Sequence, residues 1–403
     1  MSGTGGADIV HGAGIPSPRW WRRFRDIPLI VLAILSVAAA VVGWVTQYRI
    51  DSAGAAPAAV APTPGAGDDA TAAVCRPPIA PPEDQPWIDD DTAASDVWAA
   101  NAALLTDPVV LGRDGWAFYN DQIEENFSQA IGRRYLTVAE MTAWHDYFST
   151  LESALTEQGI ELSIQISPSA TSVYPEQLPE WTDGIVGSTP LDQFLAASTD
   201  LPIVDFRADL RAAAESDSVY TPVNSHWTDY GGYVAWQTYA ACHEAMFPAA
   251  DPLWVPALDD VESTRIYNEY AAYGVPDVDP AWTVPVFSDP FADVEVTAAD
   301  GTVATTDGET QVDLSKLPAS TRTEGASSAR TALIMRDSMG NALTPYWGQA
   351  FAQTWQIQHR YDDWSNPPDY RALVDQYKPD VVIVQLAERH LVNAPAVGVD
   401  SGY

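Results

Sequence analysis

The sequence predicts an α/β domain with three layers, helices on both faces of a parallel β-sheet. Three observations carry this. A helical stretch followed by an apolar strand recurs: residues 137–159 into 161–166, 191–197 into 201–206, and 370–377 into 380–386. Such alternation gives parallel strands joined by helical crossovers. Residues 331–343, TALIMRDSMGNAL, read as a short apolar run and then a small-residue segment able to start a helix. That run is the pattern of a strand buried on both faces. Finally, 403 residues with 46% hydrophobic and 10% aromatic content give room for one large domain with appendages.

Taken in order, residues 1–26 form a short polar tail. Residues 27–45 are 19 residues without a charge, close to the ~20 that cross a bilayer. Four Arg within residues 19–25 precede this run and only Arg49 follows closely. By the positive-inside rule the tail is cytoplasmic and the rest of the chain extracytoplasmic, held to the plasma membrane by a single-pass anchor at 27–48. Small residues at Ser52-Ala53-Gly54-Ala55 leave a cleaved signal peptide as the rival, although the apolar run exceeds the ~7–15 residues of such a segment. Residues 49–86, dominated by Ala, Pro, Gly and Asp, read as a semi-extended linker, with the folded domain at 87–403.

Within that domain, residues 109–119 read as strand, turn and strand about Asp114-Gly115. The 137–159 helix opens on Thr137 and Glu140 in capping-box spacing and closes at Gly159. Residues 229–247 read as a helix despite Gly231-Gly232. Residues 252–330, rich in Asp, Pro, Thr and Ala, read as an insertion shaping one rim of the sheet. They include a hairpin at 293–305 about Asp300-Gly301, and residues 300–330 read equally well as a partly disordered acidic loop.

Charge excludes some functions. The net charge is −35; residues 1–50 carry five Arg and two Asp, so the remainder carries −38. A body this acidic argues against nucleic acid and against lying on anionic lipid. The two cysteines, Cys75 and Cys242, both follow the anchor, on the oxidising side, where a lone pair of thiols is expected to form a disulfide. No metal-ligand spacing, phosphate-binding glycine loop or nucleotide fingerprint is present, so no cofactor is expected.

The chemistry centres on Ser338. A serine at the carboxyl end of a parallel strand sits where open α/β sheets place their ligands. The Met339, Gly340 and Asn341 amides are expected near its Oγ, as an oxyanion site requires. A serine nucleophile needs a base within reach and a group to orient that base. Of six histidines, His11 precedes the anchor, His145 and His243 fall within helices, and His359 has no supporting pattern. His226, in a strand-to-helix connection, and His390, just after an apolar strand, remain.

Five blocks then occur in a familiar order: LGRDGWAFY (111–119), SPSATSVYPEQLP (167–179), NSHWTDYGGY (224–233), RDSMGNAL (336–343) and PDVVIVQLAERHL (379–391). Together the chain resembles the alginate O-acetyltransferases of the AlgJ/AlgX type, which are SGNH-hydrolase-like, over roughly residues 98–395. The resemblance implies an SGNH-like α/β/α fold with Ser338 as nucleophile and His226 as base. Asn224 stands in the position of the family's orienting aspartate. Around the pocket it brings Arg336, Asp337, Asn341, Trp227, Asp229, Tyr174 and Arg389. Arg336 replaces a frequent glycine and is expected at the pocket mouth. Trp116, Trp227 and Trp347 lie in or beside the blocks, where sugar stacking competes with an ordinary core role.

The implied activity is transfer of an acyl group, acetyl first, to hydroxyls of a cell-envelope or exported polysaccharide. A polytopic membrane-bound acyltransferase would bring the acyl unit across. Asn224 opens three readings, because an amide supplies no negative charge to the imidazolium. The enzyme is slow, or it recruits another carboxylate such as Asp229 or Asp205, or it has become a non-catalytic glycan-binding subunit. A carbohydrate O-acetylesterase is the same machinery with water as acceptor.

Overall fold

The computed structural model describes residues 69–102, 105–279, 282–396 and 399–403. The expected tail, the expected anchor and the first part of the expected linker lie outside the described residues. Among the described residues no helix is long and apolar enough to cross a membrane.

The chain comes in through helix α1 (Asp69–Cys75) and a hairpin of β1 (Val109–Leu111) and β2 (Ala117–Tyr119). Helix α2 (Val138–Thr156) leads into β3 (Glu161–Ser167), and α3 (Pro190–Ala197) into β4 (Ile203–Asp205). Helix α4 (Arg207–Ala214), a hairpin of β5 (Tyr220–Thr221) and β6 (Asn224–Trp227), and helix α5 (Asp229–Met246) follow. Strands β7 (Leu258–Thr264) and β8 (Trp282–Phe287) pair with each other, ahead of β9 (Val294–Thr297), β10 (Val303–Thr306) and β11 (Ala319–Thr323). The last part is β12 (Ser328–Arg336), a 3₁₀ turn (Ser338–Leu343), α6 (Thr344–Ala350), β13 (Phe351–Gln358), α7 (Tyr370–Tyr377) and β14 (Val381–Ala387).

Eight of these strands form one sheet in the order β10-β9-β11-β13-β12-β14-β3-β4. Strands β13, β12, β14, β3 and β4 are mutually parallel. The sheet is not wholly parallel as expected: β11, β9 and β10 add an antiparallel edge. All three come from the 252–330 insertion, where short connections replace helical crossovers, and short connections permit only antiparallel pairing. The disordered-loop reading of 300–330 is displaced by this pairing, which takes up Val303–Thr306 and Ala319–Thr323.

Side-chain alternation along the parallel strands divides the interior in two. Ala332, Ile334, Val381 and Ile383 face one core, shared with α4 and α5. Leu333, Met335, Val382 and Val384 face the other, shared with α2, α3 and α7. Helix α2 forms because Thr137 and Glu140 make a reciprocal capping box and because Trp144, Tyr147, Phe148, Leu151 and Leu155 recur on one face, all buried. Each such side chain contributes about 1.5–3 kcal/mol on burial. Gly231-Gly232 in α5 has a packing cause. A Cβ on Gly232 would lie 2.5 Å from that of Ala342 in the 3₁₀ turn, and one on Gly231 2.5 Å from the Val219 carbonyl oxygen.

The folded domain also starts earlier than residue 87. Asp69–Cys75, within the expected linker, is helical and rests on α5, where the Thr71 hydroxyl donates to the Ala245 carbonyl at 3.3 Å. Arg76 Nη1 donates to Ser198 O at 2.8 Å and the Trp87 indole to Ile185 O at 2.6 Å. Alanine-rich composition favours helix once a docking surface exists. Cys75 and Cys242 are joined in a disulfide across 167 residues of sequence, tying α1 to α5. Closing so long a loop restricts the unfolded chain strongly. The Cys75→Ser, Cys242→Ser double variant is therefore expected to lose about 2–4 kcal/mol of unfolding free energy in denaturant titrations. An unchanged free energy would show that the lead-in segment does not depend on this link.

Candidate active site

Strand β12 ends at Arg336, and the chain turns at once. Asp337 is extended at φ −108° and N-caps the 3₁₀ turn, its carboxylate accepting the Met339 amide at 2.8 Å. Ser338 is the first residue of that turn, at the carboxyl edge of the parallel strands. Two residues apart on one strand share a face, so β6 presents Asn224 and His226 together. The Trp227 indole donates to Met339 O at 2.9 Å and thereby fastens β6 to the serine turn.

His226 Nε2 lies 2.8 Å from Ser338 Oγ, and Nδ1 lies 3.0 Å from Asn224 Oδ1. The same Oδ1 accepts the His226 backbone N–H at 2.9 Å. A backbone amide only donates, so it is the oxygen of the Asn224 side chain, not its nitrogen, that faces the ring. Nδ1 must then carry the proton, which leaves the Nε2 lone pair to accept from the Ser338 hydroxyl. Burial pushes the His226 pKa below its usual value, as does the Arg389 charge, while Glu269, Asp337 and Asp313 push it up. The net shift is downward, so the ring is neutral at pH 7, as a base must be.

The two carboxylates considered for orienting His226 are engaged elsewhere. Asp205 grips the Arg207 guanidinium, with Nη2 to Oδ2 at 2.9 Å. Asp229 lines the cleft, but its Oδ1 accepts from Gln311 Nε2 at 2.7 Å. Among the described residues the carboxylate nearest the imidazole is Glu269, unmarked by any motif: Oε2 lies 3.9 Å from Nδ1. Tyr119 OH at 2.5 Å and Ser225 Oγ at 3.1 Å donate to its Oε1, and the Ser225 amide at 2.7 Å to its Oε2. The only sequence cue is an acid among tyrosines, Tyr267, Tyr270 and Tyr273, in an otherwise aspartate-rich insertion.

The expected oxyanion amides also need correction. Met339 N–H is spent on Asp337 Oδ1, and Gly340 N–H points to Asp337 O at 3.3 Å. The Ser338 amide, first in the turn, has no partner inside it. Asn341 lines the cleft with its side chain, giving one amide proton to Asp313 Oδ2 at 3.2 Å and keeping a second.

Arg336 is not at the pocket mouth. It is wholly buried, reaching Gln356 Oε1 at 3.0 Å, Asn341 Oδ1 at 2.8 Å, Asp337 O at 3.1 Å and Val312 O at 2.6 Å. Burial brings its pKa down to about 10 against the pull of Asp337 and Asp313, so it stays protonated. Tyr174 packs on Trp116 at 4.7 Å and accepts the Val219 amide at 3.0 Å, away from the cleft. Arg389 pairs with Glu124 at 3.0 Å and lines a smaller neighbouring cavity. Trp116, Trp227 and Trp347 are all core residues.

Sequence reading also missed a cluster beneath the serine. His359 and His390 bring Nε2 atoms to 3.4 and 3.5 Å from Asp337 Oδ2. Asp337, His359 and His390 have the residue types of a metal centre, with ligand atoms within 4.8 Å of one another. Their hydrogen bonds fit a proton network better. His359 Nδ1 accepts the Tyr361 amide, so its Nε2 carries the proton, and Asp337 Oδ2 already takes the Ala387 amide at 2.6 Å. Among the described residues the remaining histidines lie away from the site, His145 paired with Asp200 at 3.0 Å and His243 with Glu161 at 3.1 Å.

Ser338, His226, Asn224, Asp229, Asp313 and Asn341 line a cleft of about 220 Å³. Its rim carries half-buried Trp282 and Tyr267, the latter 69% exposed. A larger groove of about 740 Å³ lies at the opposite ends of the strands, beside Cys75, Glu161 and Phe247, and pairs no serine with a histidine.

Residues 109–252 match the family described as SGNH hydrolase-like domain, acetyltransferase AlgX. This stretch contains Asn224 and His226 and stops short of Ser338. The probable alginate O-acetylase AlgJ of Pseudomonas syringae pv. tomato is 28% identical over 135 residues, 33% of this chain and 32% of that protein. Its Pseudomonas putida counterpart is 28% identical over 152 residues, 36% of this chain and 37% of that protein. The similarity to the AlgJ/AlgX-like SGNH-hydrolase acyltransferases is thus carried by residues 109–252. The chain spans about a third of the length of these curated relatives. Bacillus cereus PatB1 shares the fold, with a TM-score of 0.50 and 16% identity over 71% of this chain and 97% of that one.

Arg336 tests how the serine turn is built. Arg336→Met leaves the Val312 carbonyl and the Asn341 and Gln356 side-chain oxygens without their buried donor. The expected loss is about 3–5 kcal/mol of stability, read by chemical denaturation. A variant as stable as the native chain would contradict the role of Arg336 as an internal strut.

Proposed function

We propose that the domain transfers an acyl group, acetyl in the first instance, to hydroxyls of a cell-envelope or exported polysaccharide through an ester on Ser338. The observation that carries this reading is the 2.8 Å contact of His226 Nε2 with Ser338 Oγ, with Asn224 Oδ1 on the other ring nitrogen. The Ser338 hydroxyl gives its proton to Nε2 as Oγ attacks the acyl carbonyl carbon. The carbonyl oxygen becomes an oxyanion, for which the Ser338 amide and the free Asn341 Nδ2 proton are the donors. Collapse expels the donor's leaving group, which takes the proton back from His226. A sugar hydroxyl then passes its proton to Nε2 and attacks the acyl carbon, and His226 returns that proton to Oγ as the Ser338 ester bond breaks, which regenerates the serine.

Water in place of the sugar would make the same site an esterase, so the acceptor decides the outcome. The cleft carries Asp229 and Asp313 within a body of strongly negative charge. Like charges repel at this range, so an uncharged glycan fits better than a polyuronate. Tyr267 and Trp282 offer faces on which a sugar ring stacks. In this reading residues 27–48 anchor the chain in the bacterial plasma membrane with the domain outside. A polytopic membrane-bound acyltransferase supplies the acyl unit, since acyl-CoA is a cytoplasmic donor.

Incubation with an activated acetyl ester is expected to leave an acetyl group on the Ser338 peptide, found by mass spectrometry. Ser338→Ala should remove the adduct, and His226→Ala should slow its formation by about 10²–10⁴-fold. Neutral oligosaccharides should discharge the adduct faster than uronate oligomers. Normal turnover by Ser338→Ala would end the acyl-enzyme reading.

A further inference from the structure

We propose that Glu269 is a positioning residue for His226, its carboxylate supplying the negative charge that Asn224 cannot. The inference rests on the reading of Ser338 and His226 as nucleophile and base. In the usual triad one carboxylate does two things: it fixes the imidazole tautomer and stabilises the imidazolium. Here these tasks fall on two residues. Asn224 Oδ1, bonded to both the backbone and the ring of His226, fixes the tautomer. Glu269 Oε2 stands 3.9 Å from the same Nδ1, too far to compete for its proton and close enough for its field to act. Ser225 Oγ bridges them, 3.1 Å from Glu269 Oε1 and 3.4 Å from Nδ1.

The charge is held and directed. Glu269 accepts from Tyr119 OH, the Ser225 hydroxyl and the Ser225 amide, all neutral donors. Its side chain is 16% exposed, so solvent screens it little. Among the described residues its only ion-pair partner is His226. Arg389, the cation nearest in influence, pairs with Glu124. The groups that face His226 are Glu269 from the loop after β7, Arg389 from the turn after β14, Asp337 from the end of β12, and Asp313 from the insertion. Of these, Glu269 has the largest upward influence on the imidazole. Neutralising it should lower the His226 pKa further, moving the acid limb of kcat/KM to lower pH. It should also lower kcat, because the imidazolium formed in each acyl-transfer step loses its counter-charge.

The test uses the full chain and an activated acetyl ester. Glu269→Gln keeps the shape and the Oε1 acceptor for Tyr119 OH and Ser225 Oγ, gives up the Oε2 acceptor of the Ser225 amide, and removes the charge. It is expected to lower kcat about 10–10²-fold, less than the ~10⁴ known for a directly bonded aspartate, with KM little changed. Asn224→Asp should raise the rate more in the Glu269→Gln chain than in the native chain, restoring most of the loss. A merely structural glutamate predicts a loss that Asn224→Asp does not restore; that result, or an unchanged kcat and acid limb, overturns the proposal. If Glu269→Gln fails to fold, Glu269→Asp, which keeps the charge, must stay active while folding normally. NMR titration of His226 in the Ser338→Ala chain separates the two readings. Glu269→Gln must lower that pKa whether or not the site turns over, and no shift overturns the role of Glu269 alone.

Discussion

The Asp337 carboxylate ties together the ends of three adjacent parallel strands. It belongs to the end of β12, takes the Ala387 amide at the end of β14, and approaches His359 just past β13. Its Oδ1 takes the Met339 amide and Gln385 Nε2, so the turn bearing Ser338 hangs from the same group. Burial opposes ionisation here, yet the His359 hydrogen bond and the electrostatic pull of the His359, His390 and Arg389 side chains outweigh it, and the pKa lies well below the usual range. A buried charge costs heavily unless it is paired and hydrogen-bonded throughout. The residue before the serine is therefore structural, and the serine's position follows from it.

Everything else at the site is arranged around that fixed turn. Trp227 clamps β6 to Met339 O, which brings His226 to Ser338. Arg336, beneath the turn, links β12 and β13 to the insertion through Val312 O and Gln356. The insertion thus does more than extend an edge. It contributes Asp313, Gln311 and the rim aromatics to the cleft and sets Glu269 beside His226. In the proposed reading an asparagine suffices at the orienting position, because orientation needs only an acceptor, whereas charge can act across 3.9 Å.

Regular local patterns made much of the fold legible. The Thr137–Glu140 capping box, the hairpins about Asp114-Gly115 and Asp300-Gly301, and the apolar runs of β3, β12 and β14 each depend on neighbours in sequence, and each is found. What was illegible depends on distant partners. The antiparallel edge was hidden because Val303–Thr306 and Ala319–Thr323 look polar until their pairing is known. Helix α1 was read as linker because its docking on α5 and its disulfide lie 167 residues away. Arg336 resembled a surface or pocket residue because its acceptors, Val312 O and Gln356, sit on other segments. Glu269 stood 43 residues after His226 with no spacing to mark it, and His359 and His390 gave no sign of meeting on Asp337.

The central claim is that Asn224 alone sets the tautomer of a neutral His226 whose Nε2 faces Ser338. Long-range ¹H–¹⁵N NMR of the His226 ring at neutral pH reads this directly. The account predicts a protonated Nδ1 and an unprotonated Nε2, with the pattern lost in Asn224→Ala. A proton on Nε2, or a ring already cationic at pH 7, would contradict it.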